Sequence, residues 1–142
     1  MTTIAYRDGV IAYDSRRTGG TTIVDDDYEK RFDQDGVSFF ITGAVSDSPR
    51  LIAAYFGEKQ ESPVECSGLV VRDGKLFRVG YDTNSGLWIE PLQLDRPYAT
   101  GSGCDHAWTA MDMGCSAVQA VKMAKKRDAC TGGKVRTFKL PR

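Results

Sequence analysis

Residues 2–16, which follow Met1, read TTIAYRDGVIAYDSR. Apolar and polar residues alternate on both sides of Asp8-Gly9, a dipeptide typical of a tight turn between two strands. The pattern therefore predicts a β-hairpin, with strands over 3–7 and 10–15. Removal of Met1 would leave a threonine at the start of this hairpin.

A threonine at the N-terminus combines a nucleophile and a base in one residue. The hydroxyl of Thr2 can attack a carbonyl carbon, and a free α-amine can accept the hydroxyl proton. The reference pKa of an α-amine is about 7.7–8.0, near the pH at which a general base works best. Threonine is also common after an initiator methionine, so this position identifies an enzyme only together with other motifs.

Composition and charge exclude several classes of protein. The chain has 142 residues, a length suited to a single domain over 1–142. Its 19 basic and 19 acidic residues balance, and no dense basic stretch indicates nucleic-acid binding. No apolar run approaches the roughly 20 residues of a membrane span, and the N-terminus lacks the layout of a signal peptide. We therefore expect a soluble, cytoplasmic protein that binds neither nucleic acid nor membrane.

The cysteines do not follow a metal-binding pattern. No Cys-x-x-Cys pair occurs, and His106 is the single histidine, so a zinc site would need all four cysteines from separate elements. The sequence therefore predicts reduced thiols, no metal and no cofactor. The four cysteines are Cys66, Cys104, Cys115 and Cys130.

Alternation with a period of two dominates the first hundred residues, and helical periodicity follows. The predicted strands lie over 3–7, 10–15, 21–24, 28–32, 37–42, 67–72, 75–80, 86–90 and 134–140. The predicted helices lie over 48–57, 103–113 and 116–127, with Asp47 as the N-cap of the first. This order predicts an α+β fold in which two antiparallel sheets have helices outside them.

Four short blocks occur in a fixed order along these elements. They are Thr2-Thr3 leading to Asp14-Ser15-Arg16, then Lys30, then Ile41-Thr42-Gly43-Ala44-Val45-Ser46-Asp47, and finally Gly101-Ser102-Gly103 opening a helix pair that ends in residues 126–133, KRDACTGG. In this order, and over nearly the whole chain, they resemble the proteasome β-subunit family, including the bacterial HslV-type peptidases. These proteins are N-terminal-nucleophile hydrolases.

The resemblance implies a fold and a reaction. The fold would be a four-layer αββα sandwich of two antiparallel sheets, with a reduced first helical layer. The protein would cleave amide bonds, in particular peptide bonds, through an acyl-enzyme formed on Thr2 after removal of Met1. Lys30 would lie beside Thr2, held as an ammonium ion by Asp14, and would favour negative charge on the Thr2 oxygen.

The resemblance also assigns supporting roles. Arg16 would lie on the same strand face as Asp14, because residues i and i+2 share a face. The backbone N–H of Gly43 would donate to the oxyanion of the tetrahedral intermediate. The α-amine of Thr2 and its proton would be held in place by hydrogen bonds with Ser102, Asp128 and Thr131.

Substrate binding is implied for two segments. Residues from Thr18 to Thr21, with the strand around Gly43, would bind an extended peptide by strand addition. By position, the pocket for the residue before the cleaved bond would be lined by Arg17, Ile41 and Val45.

The loop of the first hairpin determines which threonine faces Asp14. A two-residue turn would place Thr3 opposite Asp14 and Thr2 on the other face of the sheet, because side chains alternate along a strand. A three-residue loop would place Thr2 opposite Asp14. Because catalysis requires the second arrangement, we predict the three-residue loop and the convergence of Thr2, Asp14 and Lys30 on one face.

The sequence departs from the family after Asp47, where it has room for one helix instead of the usual two. In the family those helices help to stack subunit rings. The resemblance implies a homo-oligomer, while the reduced helical layer leaves a ring and an unfoldase partner open. Two other functions also stay open. The protein could hydrolyse a small amide, or it could be a non-catalytic assembly protein that keeps the fold.

Simpler interpretations of the same residues remain as well. Asp14 and Arg16 could form an ordinary ion pair, and Lys30 could be a solvated charge at a strand edge. The stretch from Asp128 to Thr131 could serve only to end a helix. Retention of Met1 would leave Thr2 without a free amine.

Overall fold

The computed structural model describes residues 2–141, so the predicted removal of Met1 lies outside the described residues. In chain order the elements are β1 (Thr3–Arg7), β2 (Val10–Tyr13), β3 (Arg17–Gly19), β4 (Thr22–Asp25), β5 (Arg31–Gln34), β6 (Val37–Gly43), a 3-10 turn (Val45–Asp47), α1 (Ser48–Tyr55), β7 (Cys66–Arg72), β8 (Lys75–Asp82), β9 (Gly86–Pro91), β10 (Tyr98–Gly101), α2 (Cys104–Asp112), α3 (Ala117–Arg127) and β11 (Arg136–Lys139). They divide into two compact units, one comprising Met1–Lys30 with Gln93–Arg142 and the other Arg31–Leu92.

Three Asp-Gly turns set the registers of three hairpins. Asp8-Gly9, Asp35-Gly36 and Asp73-Gly74 each place two consecutive residues at positive φ, between 51° and 79°. This geometry is typical of the type I′ turn, whose twist matches that of the paired strands and which favours Asp-Gly. As a result β1–β2, β5–β6 and β7–β8 are antiparallel pairs with two-residue loops.

The first unit contains a four-stranded antiparallel sheet in the order β10-β1-β2-β11, and the two-stranded ribbon β3-β4. Ala5 stands opposite both Ala12 and Ala99 in this sheet, which gives a smooth face of small side chains. Helices α2 and α3 pack on that face through further small residues, including Ala107 and Ala120, all fully buried. Small residues on both sides let the helices lie close to the sheet without leaving voids.

The second unit is a five-stranded antiparallel sheet in the order β5-β6-β7-β8-β9, with α1 packed on it. Its core groups Leu51 of α1 with sheet residues such as Phe39 and Val70, all of them 0% exposed. Phe39 also meets the ring of Tyr55 edge to face, with centroids 5.1 Å apart. These contacts hold α1 against the sheet.

The structure corrects several predicted boundaries. β2 ends at Tyr13 instead of residue 15, and the strand predicted over 28–32 lies at Arg31–Gln34. Neither β3 nor β10 was predicted. Asp47 does precede α1, but its carboxylate does not cap the helix and instead accepts hydrogen bonds from Glu65 N and Arg50.

The general class agrees with the sequence. Antiparallel sheets and three helices are observed, as the α+β prediction requires. None of the helices in residues 2–141 is long and apolar enough to span a bilayer.

Candidate active site

Thr2 stands directly before β1, and only 1% of it is exposed. Its carbonyl lies against Gly101, the last residue of β10, where φ is +100° and an added Cβ would collide with the Thr2 carbonyl oxygen. Glycine at 101 therefore permits both the positive φ and the close approach of the Thr2 and Gly101 segments. The beginning of the described chain is in this way held inside the first unit.

The Thr2 hydroxyl lies between a buried cation and a buried carboxylate. Lys30 Nζ donates to Thr2 Oγ1, and the Thr2 hydroxyl donates to Asp14 Oδ1. Lys30 Nζ and Asp14 Oδ1 are themselves paired at 2.8 Å, with side-chain exposures of 6% and 0%. The oxygen of Thr2 is thus directly hydrogen-bonded to an ammonium group, which lowers the free energy of negative charge on that oxygen.

Two opposing effects act on Lys30. Burial lowers the pKa of its ammonium group, and the neighbouring Asp14 carboxylate raises it. Burial is the larger effect, so the pKa of Lys30 lies below its ordinary value of 10.5. The pKa of this amine is therefore closer to neutral pH than that of an exposed lysine.

Asp14 is fixed by backbone donors as well as by Lys30. Its Oδ1 accepts from Thr3 N at 3.2 Å, and its Oδ2 accepts from Gly132 N at 2.9 Å and Arg16 N at 3.3 Å. A Cβ at position 132 would collide with the Arg16 guanidinium, so glycine lets this loop reach the carboxylate while Arg16 keeps its place. Asp14 is consequently rigid and can orient both Thr2 and Lys30.

The predicted hairpin register is wrong, although Thr2, Asp14 and Lys30 do converge. The turn has two residues, and Asp14 N donates to the carbonyl of Thr3, which places Thr3 opposite Asp14. The prediction assumed that strand alternation extends to both residues. Since β1 begins at Thr3 and β2 ends at Tyr13, neither Thr2 nor Asp14 is in a strand, and both side chains turn toward Lys30.

A second hydrogen-bonded network joins Ser102, Asp128, Thr131 and Thr3. Ser102 Oγ and Thr131 Oγ1 each lie 2.6 Å from Asp128 Oδ2, to which they donate. Since the Thr131 proton is used in this way, the 2.7 Å contact between the two threonines has Thr3 as donor and Thr131 as acceptor. The network thus has one direction, from the Thr3 hydroxyl through Thr131 to the carboxylate.

Asp128 stays charged in this network. Burial raises the pKa of its carboxyl, but hydrogen bonds from Ser102, Thr131 and Cys130 N outweigh burial, and the pKa lies below its ordinary value. Ser102 Oγ also lies 3.3 Å from the Thr2 carbonyl oxygen. Thr3 touches both networks, since its backbone N–H reaches Asp14 and its hydroxyl reaches Thr131.

Arg16 points away from Thr2. Its guanidinium forms a bidentate pair with Asp26, at 2.8 and 3.1 Å, and donates to the Ala129 carbonyl at 3.0 Å. Its connection to the site is the backbone N–H that reaches Asp14. Its side chain ties the Asp26 segment to the loop after α3.

Gly43 ends β6 in the second unit, with φ at +116°. A Cβ there would lie 2.8 Å from Cys66 Cα and would meet the Glu65 carbonyl, so this backbone conformation requires glycine. Of its neighbours for which the resemblance implies a role in substrate binding, Ile41 is 6% exposed and Val45 is 37% exposed.

The other predicted substrate residues lie in or beside the β3-β4 ribbon of the first unit. Thr18 is half-buried and Thr21 is exposed at the tip of the ribbon. Arg17 lies over the Tyr28 ring, 5.3 Å from its centroid. Within residues 2–141, Arg17 Nε is the buried side-chain polar atom that has no hydrogen-bond partner.

Sequence reasoning missed two participants, Thr3 and Gly132. Thr3 was considered only in the register of the first hairpin, and Gly132 only as part of the block over 126–133. The available signal for Gly132 was the Gly132-Gly133 pair, which indicates a backbone segment that lies close to another segment of the same chain. No group of three or more histidine, cysteine, aspartate or glutamate side chains in the described part of the chain is arranged to hold a metal ion.

Comparison with solved structures identifies the fold. The chain is similar to BPH of Thiobacillus denitrificans in complex with epoxomicin, with a TM-score of 0.71 and 19% identity over 99% of this chain and 99% of that one. BPH without that compound gives the same TM-score and identity, over 99% and 98% of the chains. Eukaryotic HslV from Trypanosoma brucei gives a TM-score of 0.68 and 15% identity over 97% and 98%.

These similarities confirm the predicted resemblance at the level of the fold, which is of the HslV and proteasome type. No protein-family model matches the sequence, and no curated protein sequence matches it.

Proposed function

We propose that this protein is a threonine-type N-terminal-nucleophile hydrolase that cleaves amide bonds, in particular peptide bonds, through an acyl-enzyme. The observation that carries the proposal is the Thr2 hydroxyl, buried between the Lys30 ammonium and the Asp14 carboxylate. A hydroxyl that only stabilised the fold would not need two buried charges of opposite sign, whose burial is costly. The HslV-type fold supports the same reaction class.

The proposed reaction begins with removal of Met1, which frees the α-amine of Thr2. The amine takes the hydroxyl proton as Thr2 Oγ1 bonds to the substrate carbonyl carbon, and Lys30 stabilises the charge on Oγ1. The N–H of Gly43 donates to the resulting oxyanion, a contact worth about 10²–10³ in rate. The amine then protonates the leaving nitrogen, and water hydrolyses the ester to restore Thr2.

The second network is proposed to hold the amine. Asp128 is charged and lies one side chain away from the Thr2 backbone, through Ser102. Its charge favours the protonated amine that forms during attack, and Thr131 holds the carboxylate in position. Arg16 is proposed to act through the loop it fixes, since its side chain faces Asp26.

The remaining predictions are kept as parts of the proposal. The chain would be one domain over 1–142 with a four-layer arrangement, cytoplasmic and homo-oligomeric. An extended peptide would bind along Thr18 to Thr21 and the Gly43 strand. The pocket for the residue before the cleaved bond would be lined by Arg17, Ile41 and Val45.

Intact-mass measurement with an electrophilic probe tests the proposal. We would treat the purified chain with tripeptide vinyl sulfones ending in leucine, arginine or glutamate, and in parallel with epoxomicin. The expected result is a chain without Met1 that gains the mass of one probe, mapped to Thr2. Thr2→Ser should still be labelled and Thr2→Ala should not, whereas Thr109→Ala, at an exposed position on α2, should behave like the unmodified sequence.

Other outcomes would favour the alternatives. A chain that keeps Met1 and takes up no probe would support the non-catalytic assembly protein. Labelling at Thr2 combined with hydrolysis of small amides, but not of peptides, would support the amidohydrolase. Light scattering on the same samples would test the proposed oligomer.

A further inference from the structure

Arg50 of α1 uses every donor it has, four of them on the loop between α1 and β7 and one on Asp47. Nε donates to Gln60 at 3.1 Å, and Nη2 donates to the carbonyl and the hydroxyl of Ser62, both at 2.8 Å. Nη1 donates to the Pro63 carbonyl at 2.9 Å and to Asp47 at 3.1 Å. All five N–H groups of the planar guanidinium are therefore used. We call this set the Arg50 clasp.

The clasp continues through Asp47 to the segment that contains Gly43. The second oxygen of Asp47 accepts from Glu65 N at 2.8 Å, and the Glu65 carbonyl accepts from Ala44 N at 2.9 Å. Asp47 N in turn donates to the Ala44 carbonyl at 3.0 Å. One arginine thus connects the loop on one side with the turn after β6 on the other.

Gly43 has little freedom inside this arrangement. It pairs with Cys66 at the end of the β6–β7 ladder, and the Glu65 carbonyl lies where its Cβ would be. A shift of the Glu65 segment would therefore move or rotate the Gly43 peptide directly. The N–H of that peptide is the one that the proposed function assigns to the oxyanion.

We infer that Arg50 is a positioning residue for the proposed oxyanion donor, the backbone N–H of Gly43. Oxyanion stabilisation depends on donors that are already aimed before charge develops, so a small displacement is costly. Lysine cannot replace this arginine fully, because it has one charged nitrogen where the clasp uses a planar fork. The inference rests on the proposed function and adds a residue outside the catalytic set.

The test compares two reactions that use the same nucleophile. Cleavage of a peptide aminomethylcoumarin substrate forms an oxyanion on the carbonyl that Thr2 attacks. In the matching peptide vinyl sulfone, Thr2 Oγ1 adds to an alkene carbon instead, and no carbonyl oxyanion forms. In Arg50→Ala we expect kcat for cleavage to fall by about 10-fold to 100-fold, up to the cost of losing such a donor. The rate of vinyl sulfone labelling of Arg50→Ala should stay within about threefold of the rate for the unmodified sequence. The kcat of Arg50→Lys for cleavage should lie between those of Arg50→Ala and the unmodified sequence.

Arg78→Ala serves as the matched control, because Arg78 is a half-exposed arginine of the same unit that pairs with Glu90 on the surface. It should change neither reaction. The inference is overturned if Arg50→Ala leaves cleavage unchanged, or if cleavage and labelling fall together, since the latter would indicate a general loss of structure. Failure of the proposed function gives a different result, because Thr2 of the unmodified sequence would then take up no probe at all.

Discussion

Replacing Asp14 by asparagine should destabilise the protein by about 3–5 kcal/mol at pH 7, the usual cost of removing one partner of a buried ion pair. Lys30 and Asp14 are almost completely buried, so the variant leaves an ammonium group without its counter-charge and without water. The size of the loss comes from this uncompensated charge and not from the hydrogen bond alone.

Rotating the side-chain amide of the substituted asparagine cannot reduce this loss. Both carboxylate oxygens act only as acceptors: Oδ1 receives Thr3 N and Lys30, and Oδ2 receives Gly132 N and Arg16 N. An asparagine NH₂ group in either orientation would face N–H donors. In the variant, the asparagine NH₂ group therefore faces other hydrogen-bond donors in a buried site, where none of them can bond to water instead.

The loss should also depend on pH in a definite direction. Burial holds the pKa of Lys30 below its ordinary 10.5, and Asp14 opposes that effect. Between the folded and the unfolded pKa, the folded state binds fewer protons, so stability rises with pH in that interval. Because removal of the Asp14 carboxylate lowers the pKa of Lys30 in the folded state further, the pH interval in which stability rises begins at a lower pH in the variant. The deficit of Asp14→Asn should therefore shrink from pH 7 to pH 9.5.

Urea unfolding at these two pH values measures both effects. With a slope of about 2 kcal/mol per molar urea, the expected loss lowers the midpoint by about 2 M at pH 7. Asp33→Asn is the control, since it breaks an exposed pair with Arg31 and should cost less than about 1 kcal/mol. A loss no larger than that of the control, or a deficit that grows with pH, would refute the reasoning.

Three further predictions concern the stability of the fold and the chemistry of one thiol. Gly132→Ala forces a Cβ into the Arg16 guanidinium and should cost about 1–3 kcal/mol in urea unfolding, with part of the loss recovered when Arg16→Ala is added. Ser116→Ala removes the capping box with Gln119 and should cost about 1 kcal/mol, whereas Ser116→Asn should cost little. Burial raises the pKa of Cys66 to about 12, so this thiol should resist iodoacetamide at pH 8 in the native protein and react in urea, as read by peptide mass spectrometry; equal labelling in both would contradict it.

The local elements of the fold were predictable because their signals lie within a few residues. Each Asp-Gly pair predicts a turn, and flanking alternation predicts its strands. β10 has no such partner nearby, since it pairs with β1 across most of the sequence. β3 is three residues long and contains a glycine, so propensity and periodicity carry almost no information there.

Within the candidate site, the grouping of Thr2, Asp14 and Lys30 was predictable, but its geometry was not. The motifs indicated Thr2, Asp14 and Lys30, and the structure brings these three together. The route to that convergence was wrong, because alternation along a strand says nothing about residues just outside it. The role of Arg16 in holding Asp26 could not be foreseen either, since the pair depends on how the backbone bends after Asp14.

The order of strands in the first sheet has a consequence for protein synthesis. β1 and β2 leave the ribosome well before their outer neighbours β10 and β11, which come from residues 98–101 and 136–139. The 31–92 unit, in contrast, has all of its strand partners within one continuous segment and can pair them while translation continues. The Asp14 and Asp128 networks both need residues from 128 to 132, so the surroundings of the proposed nucleophile are complete only after residue 132 has been made. Nascent chains that end before that point would therefore lack the complete hydrogen-bonded arrangement around Thr2.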